Sequence, residues 1–155
     1  MSYSVYHSTV YEDSAADRVW AVVRDFNSYP IWVNGVDESR IEDGLPGTAV
    51  GAVRNFRIGE SRTRQRLLAH SDFDRFFTYE SCEPLRLDED EHGRTLSYYR
   101  GTLRITPITD GERSFAEWSA MFDCSDEDAE YWCKWWMENP LEWFESLRAY
   151  LAKST

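Results

Sequence analysis

The stretch that decides the fold is the last one, 126-DEDAEYWCKWWMENPLEWFESLRAYLAK-153. Its apolar side chains recur at steps of three and four residues, the spacing that places them on one face of an α-helix. They are Tyr131, Trp132, Trp135, Trp136, Trp143, Phe144, Leu147, Tyr150 and Leu151. Because so many aromatic groups need a large apolar partner, we predict one long amphipathic helix with a curved sheet wrapped around it.

The ends of this helix are indicated by the sequence, and its middle carries a proline. Ser125 or Asp126 is the expected N-cap, since a side-chain oxygen there accepts hydrogen bonds from the first free amides. Pro140 lacks an amide proton and clashes with the carbonyl four residues earlier. It therefore either kinks the helix near Trp136 or starts a second helix with Asn139 as its cap. We favour the kink, because the aromatic face keeps its phase across the proline.

Upstream of the long helix, the sequence predicts a strand, two short helices and then about six strands. The first strand covers 5–12, Ser14 is the expected cap of a helix that ends near Phe26, and 31–33 forms one further turn. Alternating apolar residues predict the later strands at 36–42, 50–58, 62–71, 76–82, 95–108 and 114–124, with tight turns at Gly59-Glu60 and Asp110-Gly111. Antiparallel strands flanked by segregated helices indicate an α+β fold.

Composition limits the domain count and the partners. A chain of 155 residues suits one domain, 1–155, with a core of its own. The formal charge of −11 argues against a nucleic-acid partner. No apolar run reaches the roughly 20 residues of a membrane span, so we expect a cytoplasmic protein without stable membrane insertion. The acidic run 88-DEDE-91 indicates a solvated loop, or one that shades a pocket mouth. The oligomeric state stays open, a homodimer included.

Few residues suit metal or nucleophilic chemistry. The three cysteines, at 82, 124 and 133, lack CxxC spacing, and none of the three histidines, at 7, 70 and 92, has a second histidine or a cysteine one helical turn away. GxSxG, P-loop and GxGxxG motifs do not occur in the sequence. We expect neither a metal nor a cofactor.

Alternation along the strands assigns side chains to the two faces of the sheet. In 62–69 the arginines face water, and the inner face takes Thr63, Gln65, Leu67 and Ala69. In 99–106 the inner face takes Tyr99, Gly101, Leu103 and Ile105. The last strand is ambiguous: one face holds Phe115, Glu117, Ser119 and Met121, and the other holds Ala116, Trp118, Ala120 and Phe122.

Polar residues on this inner face are the candidates for function. A buried arginine without a partner costs several kcal/mol, so an inward Arg54 needs a carboxylate or a ligand anion, and Glu117 is the natural partner. The two either form an ion pair between strands or orient a ligand or activate a water. Gln65 and Tyr99 are satisfied through water in the core or hydrogen-bond a ligand carbonyl or hydroxyl.

The order of elements and several short stretches resemble the helix-grip fold of the START-like superfamily, especially its polyketide cyclase/dehydratase and lipid-transport group. The stretches are 50-VGAVR-54, 63-TRQRL-67, 99-YRGTLRITP-107 and 116-AEWS-119. The resemblance covers nearly the whole chain. It implies a cavity between the sheet and the long helix that takes a hydrophobic or aromatic small molecule.

Plant abscisic acid receptors are similar more distantly, and the comparison implies which residues line the cavity. Their two pocket glutamates fall on Gln65 and Glu117 and their pocket tyrosine on Tyr99, which implies an inward Glu117. A pocket lysine falls near Asn34. Their gating loop has no counterpart in the short Gly59-Glu60 turn, which argues against a hormone receptor.

Three functions follow as hypotheses. The first is a binding protein for a hydrophobic small molecule such as a lipid, polyketide or aromatic metabolite. The second is a polyketide cyclase or dehydratase in which Glu117 is the general base and Tyr99 or Arg54 stabilises a developing enolate. The third is a protein-interaction or stress-related domain with a filled core. The predicted cavity residues are Asn34, Arg54, Phe56, Ile58, Gln65, Leu67, Tyr79, Tyr99, Gly101, Phe115, Glu117, Trp136 and Trp143.

Overall fold

The sheet has seven antiparallel strands in the order β1-β7-β6-β5-β4-β3-β2. The computed structural model describes residues 1–87 and 90–153. The strands are β1 (Ser2–Tyr11), β2 (Val36–Ile41), β3 (Val53–Ile58), β4 (Ser61–Ser71), β5 (Phe76–Ser81), β6 (Tyr98–Ile108) and β7 (Arg113–Asp123). The helices are α1 (Ala16–Val23), α2 (Tyr29–Trp32) and α3 (Ala129–Lys153), with 3₁₀ turns at Glu42–Gly44 and Asp126–Asp128. The predicted α+β helix-grip fold is confirmed.

The strands begin and end close to the predicted positions, because the turns were encoded locally. Gly59 has a φ of +59°, which lets the chain reverse between the paired residues Ile58 and Ser61. Of the predicted acidic loop, residues 88 and 89 lie outside the described residues. Asp90 belongs to the described part, and its carboxylate accepts from the backbone amides of His92 and Arg94.

Helix α3 runs without interruption through Pro140, so the alternative of two separate helices is wrong. Of the two predicted caps, Ser125 is the one used: its hydroxyl oxygen accepts from the Asp128 amide at 3.3 Å and caps the 3₁₀ turn Asp126–Asp128 that leads into α3. Asn139 does not cap a new helix. Its side-chain amide donates to the Trp135 carbonyl at 2.9 Å, within the turn that Pro140 disturbs.

The predicted cap of the first helix is wrong. Helix α1 starts at Ala16, and its N-cap Ala15 offers no side-chain oxygen. Ser14 instead accepts a hydrogen bond from the Arg18 guanidinium at 2.8 Å. The helix ends at Val23, three residues before the predicted end at Phe26, which continues into the core as an irregular segment.

Aromatic rings join the helices to the inner face of the sheet. On α3, Phe144 meets Trp118 of β7 with ring centroids 5.8 Å apart, and Trp136 meets Tyr99 of β6 at 5.6 Å. Phe26, which follows α1, meets Phe77 of β5 at 5.8 Å. Each such pair adds about 0.5–1.5 kcal/mol to the apolar burial. The long helix and the α1–α2 segment therefore cover different parts of one face.

A bulge in β4 reverses the face assignment at its end. Leu67 pairs with Tyr79, but Ala69, two residues on, pairs with the very next residue, Thr78. His70 then pairs with Phe77 and shares the inner face with it, and the ring centroids of His70 and Trp20 lie 5.4 Å apart. The prediction of an inward Ala69 is therefore wrong, because strict alternation holds only up to the bulge.

Candidate functional site

A cavity of about 210 Å³ lies between β3–β4, the segment from α2 to β2, and the middle of α3. Eight of the predicted residues line it: Asn34, Phe56, Ile58, Gln65, Tyr79, Tyr99, Trp136 and Trp143. Phe56, Tyr79, Tyr99 and Trp136 are buried, and Asn34 and Ile58 are exposed at the surface. Aromatic residues are therefore the largest group in the wall, and its buried polar atoms are those of Gln65 and of the tyrosine hydroxyls, at the inner end.

Arg54 lies directly behind this inner end and is fully buried, without lining the cavity itself. Its guanidinium carbon stands 3.8 Å from the ring centroids of both Phe26 and Tyr29, so the cation is held between two aromatic faces. It donates from Nε to the Gln65 Oε1 at 2.7 Å, from Nη2 to the Tyr29 hydroxyl at 2.7 Å, and from Nη1 to the Phe26 carbonyl at 3.3 Å. Among the described residues, no carboxylate forms an ion pair with it.

The sequence therefore identified Arg54 as buried but gave it the wrong partner. The predicted ion pair with Glu117 does not form. Aromatic faces and neutral oxygens stabilise the charge instead, and burial lowers the pKa of the guanidinium. Since arginine stays protonated in proteins, a cation lies behind the inner end of the cavity.

Gln65 links Arg54 to Tyr99. The amide oxygen of Gln65 accepts from Arg54, and its amide nitrogen donates to the Tyr99 hydroxyl at 2.7 Å. A second tyrosine of the wall, Tyr79, accepts from the Trp118 indole nitrogen at 3.0 Å. Burial raises the pKa of the phenols of Tyr29, Tyr79 and Tyr99 above the ordinary value, so all three remain protonated near neutral pH.

Glu117 and Phe115 lie on the outer face of the sheet, so their predicted place in the cavity is wrong. Glu117 pairs with Arg104 across the β6–β7 ladder and accepts from the exposed Tyr6 hydroxyl at 2.8 Å. The alternate residues, including Trp118, are buried against the helices. The resemblance to the abscisic acid receptors had implied the opposite parity. A glutamate on the outer face cannot act as a general base on a molecule in the cavity.

Leu67 and Gly101 face inward as predicted, but they belong to the packed core rather than to the cavity wall. Gly101 pairs with Tyr79 in the neighbouring strand. A methyl group at Gly101 would stand 2.5 Å from the Tyr79 ring carbon Cζ and from its hydroxyl. The absence of a side chain at this position therefore makes room for a wall residue.

Sequence reasoning missed part of the wall. Tyr29, on α2, supplies a phenol and also one of the two aromatic faces that hold the Arg54 guanidinium. Trp135, Asn139 and Glu142 of α3 line the opposite side, and their helical spacing was the available signal. The loop after β5 contributes Leu85 and Leu87, for which no periodic pattern exists. The remaining missed residues are Val33, Val36 and Ser61, whereas Thr63 was assigned to the inner face without being expected in the cavity wall.

Nothing in this wall has the donor set of a metal site. Across 1–87 and 90–153, no three His, Cys, Asp or Glu side chains come close enough together to hold an ion. The cavity instead offers aromatic faces, three phenols and the buried amide of Gln65, a set that binds organic molecules by contact and hydrogen bonds. The less buried parts of the wall add further polar side chains, those of Asn34, Ser61, Thr63, Asn139 and Glu142.

The sequence model of the family described as "Polyketide cyclase / dehydrase and lipid transport" matches residues 5–150. The chain belongs to this family. The match confirms the resemblance to the START-like helix-grip proteins. A comparison with curated proteins found no significant match.

Solved structures of other proteins share the fold. A protein from Nitrosospira multiformis superposes with a TM-score of 0.74 at 25% identity, covering 95% of this chain and 94% of that one. The XoxI protein of Bacillus cereus gives a TM-score of 0.78 at 21% identity, over 98% of both chains. Norcoclaurine synthase from Thalictrum flavum, in complex with dopamine and hydroxybenzaldehyde, gives 0.74 at 15% identity, over 100% of this chain and 89% of that one. Among the described residues of this family member, no helix is long and apolar enough to span a membrane.

Proposed function

We propose that this family member binds a hydrophobic or aromatic small molecule in the cavity between the sheet and α3. The observation that carries the proposal is a wall of aromatic side chains that ends in a few convergent polar groups, the usual composition of a ligand pocket. An apolar cavity of about 150 Å³ is known to hold benzene. A cavity of about 210 Å³ therefore suits a molecule of one or two rings, or one end of a longer molecule.

The family and the neighbouring structures support this proposal at the level of the fold. The family description names cyclases, dehydrases and lipid transport together, so it is compatible with carriers and with enzymes. The norcoclaurine synthase structure carries aromatic molecules on a similar fold, but at 15% identity it shows the fold alone.

The cyclase or dehydratase alternative loses its predicted base, because Glu117 lies on the outer face. A catalytic role for Tyr99 stays a prediction, as do the homodimer and the cytoplasmic location. The interaction-domain alternative also stays a prediction. The buried Trp132, Trp136 and Phe144 weigh against it, since they take the aromatic face of α3 away from partners.

A thermal-shift screen with small aromatic ketones, acids and short-chain lipids tests the proposal. A ligand at about 100 times its Kd adds roughly 2.7 kcal/mol, and in a domain of this size each kcal/mol raises Tm by about 2–4 °C. We expect at least one compound class to raise Tm by about 5–10 °C. Native mass spectrometry then gives the stoichiometry, expected to be one molecule per chain.

A pair of variants ties the shift to this cavity. Thr63 lines the cavity and is half-buried, so Thr63→Trp fills the space. Thr106 is exposed on the outer face of β6, so Thr106→Trp adds the same side chain elsewhere. We expect Thr63→Trp to abolish the shift and Thr106→Trp to keep it. An empty screen, or a shift that survives Thr63→Trp, contradicts the proposal.

A further inference from the structure

The hydrogen-bond network behind the cavity has a fixed direction, because it starts from groups that can only donate. Arg54 has no acceptor atom, so its Nε–H forces the Gln65 side chain to present its oxygen at 2.7 Å. The Gln65 amide nitrogen must then face Tyr99, to which it donates at 2.7 Å. The Tyr99 oxygen is therefore an acceptor within the network, and its proton points away from Gln65.

The other two phenols of the wall receive hydrogen bonds in the same way. Tyr29 accepts from Arg54, and Tyr79 accepts from Trp118, whose indole nitrogen can only donate. Every phenol oxygen at the inner end is thus already in use as an acceptor. Within 1–87 and 90–153, no group accepts the Tyr99 proton.

Trp136 adds a second donor without a partner. Its side chain lines the cavity, its ring centroid lies 5.6 Å from that of Tyr99, and only 2% of the residue is exposed. The indole nitrogen has no hydrogen-bond partner among the described residues. A buried N–H that gives up water without gaining an acceptor costs about 1–3 kcal/mol of folding free energy in general. The indole nitrogen of Trp132 also lacks a partner but lies outside the cavity, so it is the place of Trp136 in the cavity wall that makes its donor relevant to a ligand.

The charges around the inner end of the cavity favour the same kind of ligand atom as these unpartnered donors do. Arg54 is fully buried without an ion pair among the described residues, so its positive field reaches the inner end of the cavity through a poorly screening interior. The carboxylate of the wall, Glu142, is on an exposed residue of α3. A negative or partly negative atom is therefore stabilised at the inner end, although the whole chain carries a formal charge of −11.

We propose that the cavity selects ligands that place a hydrogen-bond acceptor, a carbonyl or carboxylate oxygen, against Tyr99 and Trp136, and that it rejects ligands whose polar group only donates. This inference rests on the proposed binding function and specifies its chemistry. The ligand class is an aromatic or aliphatic ketone, aldehyde or acid with its polar end innermost.

Four one-ring probes of similar shape test the inference: acetophenone, benzoate, ethylbenzene and benzylammonium. Acetophenone and ethylbenzene differ only in the carbonyl group, so their ratio of Kd values isolates the acceptor. One hydrogen bond to a buried donor corresponds to a factor of about 2–10 in Kd. Titrations followed by ¹H–¹⁵N NMR give each Kd and show whether the Trp136 indole signal moves.

We expect acetophenone and benzoate to bind more tightly than ethylbenzene, with benzylammonium weakest and the Trp136 indole signal shifted by the two acceptors. Tyr99→Phe should bring the acetophenone and ethylbenzene affinities closer together. The matched control is Tyr98→Phe, which removes a phenol that donates to Glu80 outside the cavity.

The outcomes separate this inference from the proposed function. Equal affinities of unmodified protein for acetophenone and ethylbenzene overturn the acceptor selection and leave the binding function standing. Tighter binding of benzylammonium overturns it in the same way. Failure of all four probes to bind overturns the acceptor selection, and an empty thermal-shift screen overturns the binding function as well. The comparison on unmodified protein needs no variant, so a poorly folded Tyr99→Phe does not obscure the result.

Discussion

Replacing Gly101 with alanine should destabilise the protein, because the added methyl group would clash with a buried ring. Gly101 lies in the middle of β6, opposite Tyr79 of β5. The new Cβ would stand 2.5 Å from the Tyr79 Cζ and hydroxyl oxygen and 2.8 Å from Cε1, where ordinary contacts begin at 3.4 Å. Tyr79 is 1% exposed, so its ring has to move by about 1 Å within a packed core.

The magnitude follows from three effects. Overpacking a core by one methyl group costs typically about 1–3 kcal/mol. The ring movement also weakens the 3.0 Å hydrogen bond from Trp118, and a buried donor left unpaired costs about 1–3 kcal/mol more. Reduced freedom of the unfolded chain returns about 0.4–1 kcal/mol. We expect Gly101→Ala to lower the free energy of unfolding by about 2–4 kcal/mol.

Urea unfolding followed by far-ultraviolet circular dichroism measures this change. The same substitution made in a Tyr79→Leu variant identifies its cause. In a Tyr79→Leu protein the clash is relieved, so adding Gly101→Ala should cost less than about 0.5 kcal/mol there. An equal cost in both backgrounds would refute the assignment of the clash to Tyr79. A cost below about 0.5 kcal/mol in unmodified protein would refute the geometry itself.

Three further predictions concern charge. Arg54→Met removes the donor to the Gln65 side chain, and Gln65→Leu removes an acceptor of Arg54, so each single variant leaves one buried polar group without this partner. The double variant should therefore be more stable, by about 1.5–3 kcal/mol, than the sum of the two single losses predicts. Additive losses in urea unfolding would contradict this. Glu117→Gln should change stability by less than about 0.5 kcal/mol and leave ligand-induced Tm shifts intact, whereas loss of those shifts would return this residue to the site. The hydrogen bond from Arg64 lowers the pKa of the Glu42 carboxyl from an ordinary value of 4.5 to about 2. The ionised carboxylate therefore stabilises the folded state fully above pH 4.5, and this contribution is lost as the pH falls through 2. Glu42→Gln should therefore have a lower urea midpoint than unmodified protein at pH 6, with a difference that narrows towards pH 2, and a difference independent of pH would contradict the linkage.

Most of the fold could be predicted because its signals are local. The aromatic repeat of α3, the two-residue turn at Gly59 and the alternation in β6 each depend on neighbours within a few residues. Where a local rule was broken, the prediction failed. The bulge after Leu67 placed His70 rather than Ala69 on the inner face, and Ser14 accepts from Arg18 instead of capping α1.

The candidate site was predicted in part. Alternation along a strand predicts which face of the sheet a side chain lies on, but not which side chains from other strands and helices it contacts. Gln65, Tyr79 and Tyr99 were expected on the inner face and line the cavity. Glu117 failed because both parities of β7 contain large apolar residues, and a short motif shared with a distant group of proteins then favoured the wrong one. The pairing of Glu117 with Arg104 decides the question, and that pairing depends on the register between β6 and β7.

By itself, then, the sequence determined the elements, their order and the family, because periodicity and turn chemistry act over short distances. Only the tertiary structure decided what surrounds Arg54. Phe26, Tyr29 and Gln65 reach it from three separate segments, and together they stabilise a buried cation without a carboxylate. The direction of the resulting network, and with it the donors offered to the cavity, arises from contacts between residues far apart in the chain, which no local pattern records.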